Sequence, residues 1–200
     1  MNAGVTSERV YDALKTRLLS GDILPGERLE PAAFAELLGS SATPVRDALH
    51  RLAGEHIVEM RPAEGFQLPF VTEPALRDLL VWNADLLRLA LRRWPARRPA
   101  DRANLMARDP EGGIRTLFSA IVARAGNVEL DRHIEAASDR LATARVAETR
   151  VLSGTAGEMS EIRRAARTGD VKAIGRRVAA YHRRRVTSVP AIVQAIYRSG

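Results

Sequence analysis

At 200 residues, with 46% hydrophobic but only 4% aromatic positions, the chain can form one large domain or two small ones with cores of Leu, Val, Ile and Ala. It has no cysteine, which excludes disulfides, thiolate metal sites and a cysteine nucleophile, and no stretch offers the roughly 18 uncharged apolar residues of a membrane span; the expectation is a cytoplasmic protein without a membrane partner. The formal net charge of +7 suggests a nucleic-acid partner, yet residues 1–70 hold 7 basic against 10 acidic side chains, so the positive excess lies downstream and charge alone does not locate a binding surface.

Ser7 is placed to cap a first helix whose apolar positions Val10, Leu14 and Leu18 recur every four residues, with Tyr11 beside them and Gly21 at its end. Pro25-Gly26 forces a turn before a short strand at Arg28-Leu29-Glu30. A helix restarts at Pro31, burying Ala33, Phe34, Leu37 and Leu38, and stops at Gly39. Ser40 to Pro44 then supply N-caps and a first-turn proline for another helix. On that helix Val45, Ala48, Leu49 and Leu52 form the buried face, and Thr43, Arg46, Asp47 and His50 project from the other. Arginine suits guanine O6 and N7, and a hydroxyl suits phosphate or a thymine methyl. Asp47 is placed to pair with Arg51 one turn on. Residues 57–60 and 66–69, around the turn at 61–65, are expected to form a β-hairpin.

The order Leu24-Pro25-Gly26-Glu27-Arg28-Leu29, then Thr43-Pro44-Val45-Arg46-Asp47-Ala48-Leu49, then Leu52 to Val58, resembles the head of the GntR family of bacterial regulators over about residues 7–70. The resemblance implies a winged helix-turn-helix domain over residues 1–70, with the hairpin as wing. It also implies double-stranded operator DNA as partner, contacted by Arg46 and Thr43, by Ser41 at the helix N-terminus, by His50, and by Arg61 and Gly65 in the wing. Taken alone, Ser41 is equally well a helix cap and His50 a packing residue. Ala42 stands where the family usually has an arginine, and Ala32 where it often has a polar or basic residue, so two contacts are missing.

Downstream, Thr72 caps a helix that ends near Pro95; an Arg- and Pro-rich loop over 92–99, a short segment around Leu105 and a break at residues 110–113 come next. Further helices are expected over 114–125, 127–152, 157–168 and 170 to about 196, giving a mainly α chain with an all-α bundle over residues 71–200. Leu117-Phe118, Ala125-Gly126-Asn127 and Thr168-Gly169-Asp170 resemble the FCD effector and dimerisation domain of the family's FadR branch. That domain commonly holds a divalent metal on one Asp and three His; here those positions are Arg115, Ser119, Met159 and Tyr181, and His182 is one residue off, about 100° round the helix. No metal and no other cofactor are expected. Arg115, with Ser119 one turn later, can instead receive an anionic effector such as an organic acid, with Met159 and Tyr181 as weaker members of the set. The plainer reading of Arg115 is an exposed or packing residue.

The arginine clusters 92–93, 97–98 and 183–185 are read as solvated helix faces, or as a second nucleic-acid surface. A Gly-rich phosphate loop, a nucleophile elbow and a His-Glu zinc motif are all missing, so an enzyme is not expected. The expected function is a homodimeric transcriptional regulator, by family habit a repressor, under effector control. The alternative is a ligand- or protein-binding module with weakened operator affinity.

Overall fold

Four buried residues, Val10, Leu14, Leu18 and Tyr11, set the face on which the first helix packs, α1 (Ala3–Leu19), and the computed structural model, which describes residues 3–94 and 113–198, places that face against α3 (Ala42–Gly54). The helix begins four residues before Ser7, which is therefore inside it rather than at its cap. Between them α2 (Pro31–Leu37) packs on α3, with Pro31 in its first turn and Gly39 at φ 58 just beyond its end. Three short strands close this head: β1 (Arg28–Leu29), β2 (Glu59–Arg61) and β3 (Gly65–Gln67), in the antiparallel order β1-β3-β2, with Met60 opposite Phe66. The β2–β3 turn has Pro62 second and Ala63 third at φ 65, with Glu64 N donating to Arg61 O. That third position is where type II turns need a left-handed residue. One apolar core, from Val10 to Leu68, lies under these elements.

Thr72 accepts a hydrogen bond from Ala75 N and opens α4 (Glu73–Arg92), the central helix of the C-terminal bundle. Its 20 residues span about 30 Å and feed two cores. Leu76 and Leu80 pack with Leu141, Ala144, Val189 and Ile192; Leu86, Leu87 and Ala90 pack with Phe118, Ile134, Ile162 and Tyr181. Around α4 stand α5 (Ile114–Ala123), α6 (Val128–Arg140), α9 (Val171–Thr187) and α10 (Val189–Tyr197), with α7 (Ala142–Glu148) on α10 and α8 (Thr155–Thr168) on α9. Asn127 and Asp170 cap α6 and α9 with side-chain oxygens.

Two of the expected helices are each a pair. The 170–196 stretch breaks at Ser188, two residues before Pro190, which lacks an N–H and crowds the preceding turn. The 127–152 stretch breaks at Leu141 (φ −84, ψ −3), where neither glycine nor proline marks it. The expected loop beyond Trp94, the segment around Leu105, the break before Gly113 and the Arg97-Arg98 cluster lie outside the described residues.

The head and the bundle share a seam. Leu18, Ile57 and Leu68 meet Leu76, Leu79 and Ala144 around a small cavity, and a Cβ added to Gly21 would lie 3.2 Å from Val146. The Tyr197 hydroxyl accepts from Val71 N (2.9 Å) and donates to Val71 O (3.2 Å), fastening the last helix to the start of the bundle. No described helix is long and apolar enough to cross a membrane.

Candidate DNA-reading helix and effector pocket

Helix α3 buries Val45, Ala48, Leu49 and Leu52, so helical geometry turns Thr43, Arg46, Asp47 and His50 outward, and all four are exposed. Ser41 is the extended N-cap residue (φ −92, ψ 164) and makes no side-chain capping bond, which leaves its hydroxyl and the first-turn N–H groups open to an outside acceptor. Among the described residues no carboxylate engages Arg46. Arg51, by contrast, pairs with Glu8 at 2.8 Å and Glu55 at 3.8 Å and lies 3.7 Å over the Tyr11 ring. The expected Asp47–Arg51 pair is therefore replaced: Glu8 and Glu55 draw Arg51 toward α1, and Asp47 keeps to the outer face. His50 sets its ring edge-on to Phe66 at 4.9 Å, linking α3 to the wing strand β3.

In the wing, Arg61 lies between Glu59 (3.5 Å) and Glu64 (3.9 Å), so its charge is locally offset. Gly65 has φ 80 and nothing within 4 Å of an added Cβ; the glycine serves the backbone angle and leaves the outer surface clear.

In the bundle, Arg115 and Ser119 lie one turn apart on α5 and line a cavity of about 400 Å³ whose opposite wall is Asp131, Ile134 and Glu135 of α6. Met159 and Tyr181 do not line it. Phe118, between Arg115 and Ser119 in sequence, points instead into the core, where Tyr181 meets its ring edge-on at 5.2 Å and Met159 packs against the same cluster. The structure thus joins two of the four expected effector residues and separates the other two. Arg115 Nε donates to Asp139 Oδ1 at 2.6 Å, and Asp139, 2% exposed, takes Lys15 Nζ of the head on its other oxygen at 2.9 Å. Asp139, Asp131 and Glu135 carry no sequence signal of their own, because their roles come from helix pairing rather than from a motif.

The donor chemistry does not suit a metal. Arginine, serine, methionine and tyrosine supply neither imidazole nor carboxylate, and among the described residues no group of three or more His, Cys, Asp and Glu could hold an ion. His182, the nearest imidazole in sequence, is committed elsewhere: Nδ1 lies 2.8 Å from Val178 O and Nε2 3.0 Å from the Asn83 side chain. Burial pushes its pKa down to about 4, and Arg145, Arg185 and Arg88 add to that effect against the Val178 carbonyl. A neutral ring that donates from Nδ1 accepts at Nε2; Asn83 Oδ1 lies 3.0 Å from that atom, and turning the amide over brings its buried, unpartnered Nδ2 there as the donor. The arginine run 183–185 divides likewise. Arg185 is 1% exposed, held by both oxygens of Glu148 and by Glu158, all at 2.8 Å, and lies over the Tyr181 ring. A helix rotates successive residues by about 100°, so the run is no single solvated face.

The pattern of "Bacterial regulatory proteins, gntR family" matches residues 6–68. The chain is similar to the HTH-type transcriptional regulator McbR of Escherichia coli (strain K12), with 36% identity over 85 residues, 42% of this chain and 38% of that relative. It is also similar to the HTH-type transcriptional regulator Mce2R of Mycobacterium tuberculosis, with 41% identity over 58 residues, 28% of this chain and 24% of that one. These alignments thus span well under half the length of either relative. Two solved structures share the architecture. E. coli McbR/YncC superposes with a TM-score of 0.70 at 23% identity, covering 99% of this chain and 100% of that one. A GntR regulator from Rhodococcus sp. RHA1 gives 0.72 at 17% identity, covering 97% and 99%. Residues 6–68 are a winged helix-turn-helix domain of the GntR family.

Proposed function

We propose that the chain is a DNA-binding transcription regulator, and not an enzyme, with a DNA-reading unit over residues 1–70 and a sensing and dimerising helical unit over 71–200. The observation that carries this reading is the exposed row Thr43, Arg46, Asp47 and His50 on α3, backed by a row of apolar side chains that fixes its direction. Two copies in a homodimer set two such helices one helical turn apart on a pseudo-palindromic operator, Arg46 reaching a guanine edge, Thr43 and Ser41 the backbone, and Arg61 and Gly65 a flanking phosphate. A small-molecule effector in the Arg115 pocket changes the spacing of the heads, and repression is the outcome family habit favours.

A gel shift on the DNA upstream of the chain's own gene, at two salt concentrations, tests this reading. The expected result is a sequence-specific shift that Arg46→Ala weakens about tenfold or more, since a bidentate base contact is worth about 1–3 kcal/mol. The acidic head and Ala42 favour a second reading, a ligand- or protein-binding module that no longer needs operator DNA. Weak binding, blind to sequence and indifferent to Arg46→Ala, is the result that selects it.

A further inference from the structure

The pocket between α5 and α6 is bipolar. On one side stands Arg115, whose Nε is used by Asp139 while its two terminal nitrogens carry no bond to a described residue. On the other stand Asp131 and Glu135, one turn apart on α6, neither paired with a cation among the described residues. Asp131 Oδ1 and Ser119 Oγ are shielded from solvent and have no hydrogen-bond partner, a state that a buried polar atom leaves when a donor is supplied. Ala123 gives the wall between the two ends a partly exposed apolar surface, while Ile134 beside it is buried in the core. About 400 Å³ lies within the range of small-molecule pockets, about 300–1,000 Å³.

A plain organic anion is a poor match for this site. Its carboxylate gains one guanidinium that already shares its charge with Asp139, and it sits within the field of two further carboxylates. A plain amine satisfies the acidic wall and leaves Arg115 unused. The geometry points to a small zwitterion of the α-amino acid type, its ammonium held by Asp131 and Glu135, its carboxylate by the terminal nitrogens of Arg115 and its side chain against Ala123. This assignment rests on the reading of the pocket as the effector site and gives that effector a chemical class. It also gives the effector a route to the head: a carboxylate on Arg115 competes with Asp139 for the same guanidinium, and Asp139 is the residue that holds Lys15.

The test uses the full chain and three probe sets: the common L-α-amino acids, the same skeletons without the amino group, and the same skeletons without the carboxyl group. Each compound is screened by thermal shift and then titrated calorimetrically. The expected result is saturable binding of at least one amino acid, at least tenfold weaker binding of both of its single-charge analogues, and a loss of at least tenfold in Arg115→Gln and Asp131→Asn. Should Asp131→Asn fail to fold, Glu135→Gln, at an exposed position, must show the same loss. Saturation by no amino acid, or equal affinity for the deaminated acid, overturns the proposal. A gel shift on the same ligand-free protein separates the two readings: a sequence-specific shift without amino acid binding removes the ligand class and leaves the regulator, and the converse leaves the site and removes the regulator.

Discussion

Lys15 of the head and Asp139 of the bundle form an ion pair at 2.9 Å in which the carboxylate is 2% exposed and the ammonium also reaches Glu55 at 2.8 Å. Burial opposes the Lys15 charge, but hydrogen bonds to Glu55, Asp139 and Tyr11 outweigh it and hold the pKa above the ordinary lysine value. The charges alternate along a line, Arg115, Asp139, Lys15, Glu55, that ends at the C-terminus of α3. A double-mutant cycle with Lys15→Met and Asp139→Asn is expected to give a coupling energy of about 1–3 kcal/mol in urea denaturation. Additive effects within about 0.5 kcal/mol would show that the pair does not tie the head to the bundle.

Arg185 joins three elements, since Glu148 lies on α7, Glu158 on α8 and Arg185 itself on α9. Removing the guanidinium leaves two poorly solvated carboxylates facing each other, so Arg185→Met is expected to cost about 3–5 kcal/mol of stability. Arg185→Lys keeps the charge but loses the two parallel bonds to Glu148, and should fall between wild type and Arg185→Met. Arg183→Met, on the exposed side of the same helix, serves as the control and should change stability by less than about 0.5 kcal/mol.

What the sequence disclosed and what it hid divide by the range of the interaction. The head was legible because its turns are local: Pro25-Gly26, Gly39, Pro62 and Gly65 favour particular backbone angles wherever they occur, and the α3 stripe comes from a period of 3.6. The break before Pro190 had the same kind of signal, and a reading that weighted that proline would have found it. Arg185 was legible in principle too, lying on the stripe of Ile174, Val178 and Tyr181 although its two neighbours are also arginines. The break at Leu141, the Lys15–Asp139 pair and the acidic wall of the pocket depend on which helices become neighbours. No local pattern carries that information.

His56 comes just after α3 with φ 58, a left-handed angle on a residue with a Cβ. The turn it makes brings Ile57 N and Val58 N back to Leu52 O at 3.0 and 3.4 Å and so delivers Ile57 and Val58 to the head core. For an L residue this angle costs about 1–2 kcal/mol, and a glycine avoids that cost but offsets part of the gain by losing more entropy on folding. His56→Gly is therefore expected to raise stability by about 0.5–1 kcal/mol in denaturant titrations, and His56→Val, branched at Cβ, to lower it. Destabilisation by His56→Gly would mean that the imidazole contributes more through its place in the seam cavity than the turn costs.

His182 gives the bundle a pH dependence with a definite sign. Its folded pKa of about 4 lies below the ordinary value of 6.5, so between these values the unfolded chain binds a proton that the folded chain refuses. Stability from this group is complete above about pH 6.5 and is lost as pH falls toward 4, by about 3 kcal/mol in all if the full shift is expressed. Carboxylates titrate in the lower part of the same window, so the measurement is a comparison. Unfolding free energies of wild type and His182→Gln, taken between pH 4.5 and 6, should differ in slope by about 1 kcal/mol per pH unit, the wild type falling faster toward acid. Glutamine keeps a donor and an acceptor for Val178 O and Asn83, so the loss of slope need not come with a loss of packing. Parallel curves would place the folded imidazole near its ordinary pKa, and with it a water-accessible route to the centre of the helical bundle.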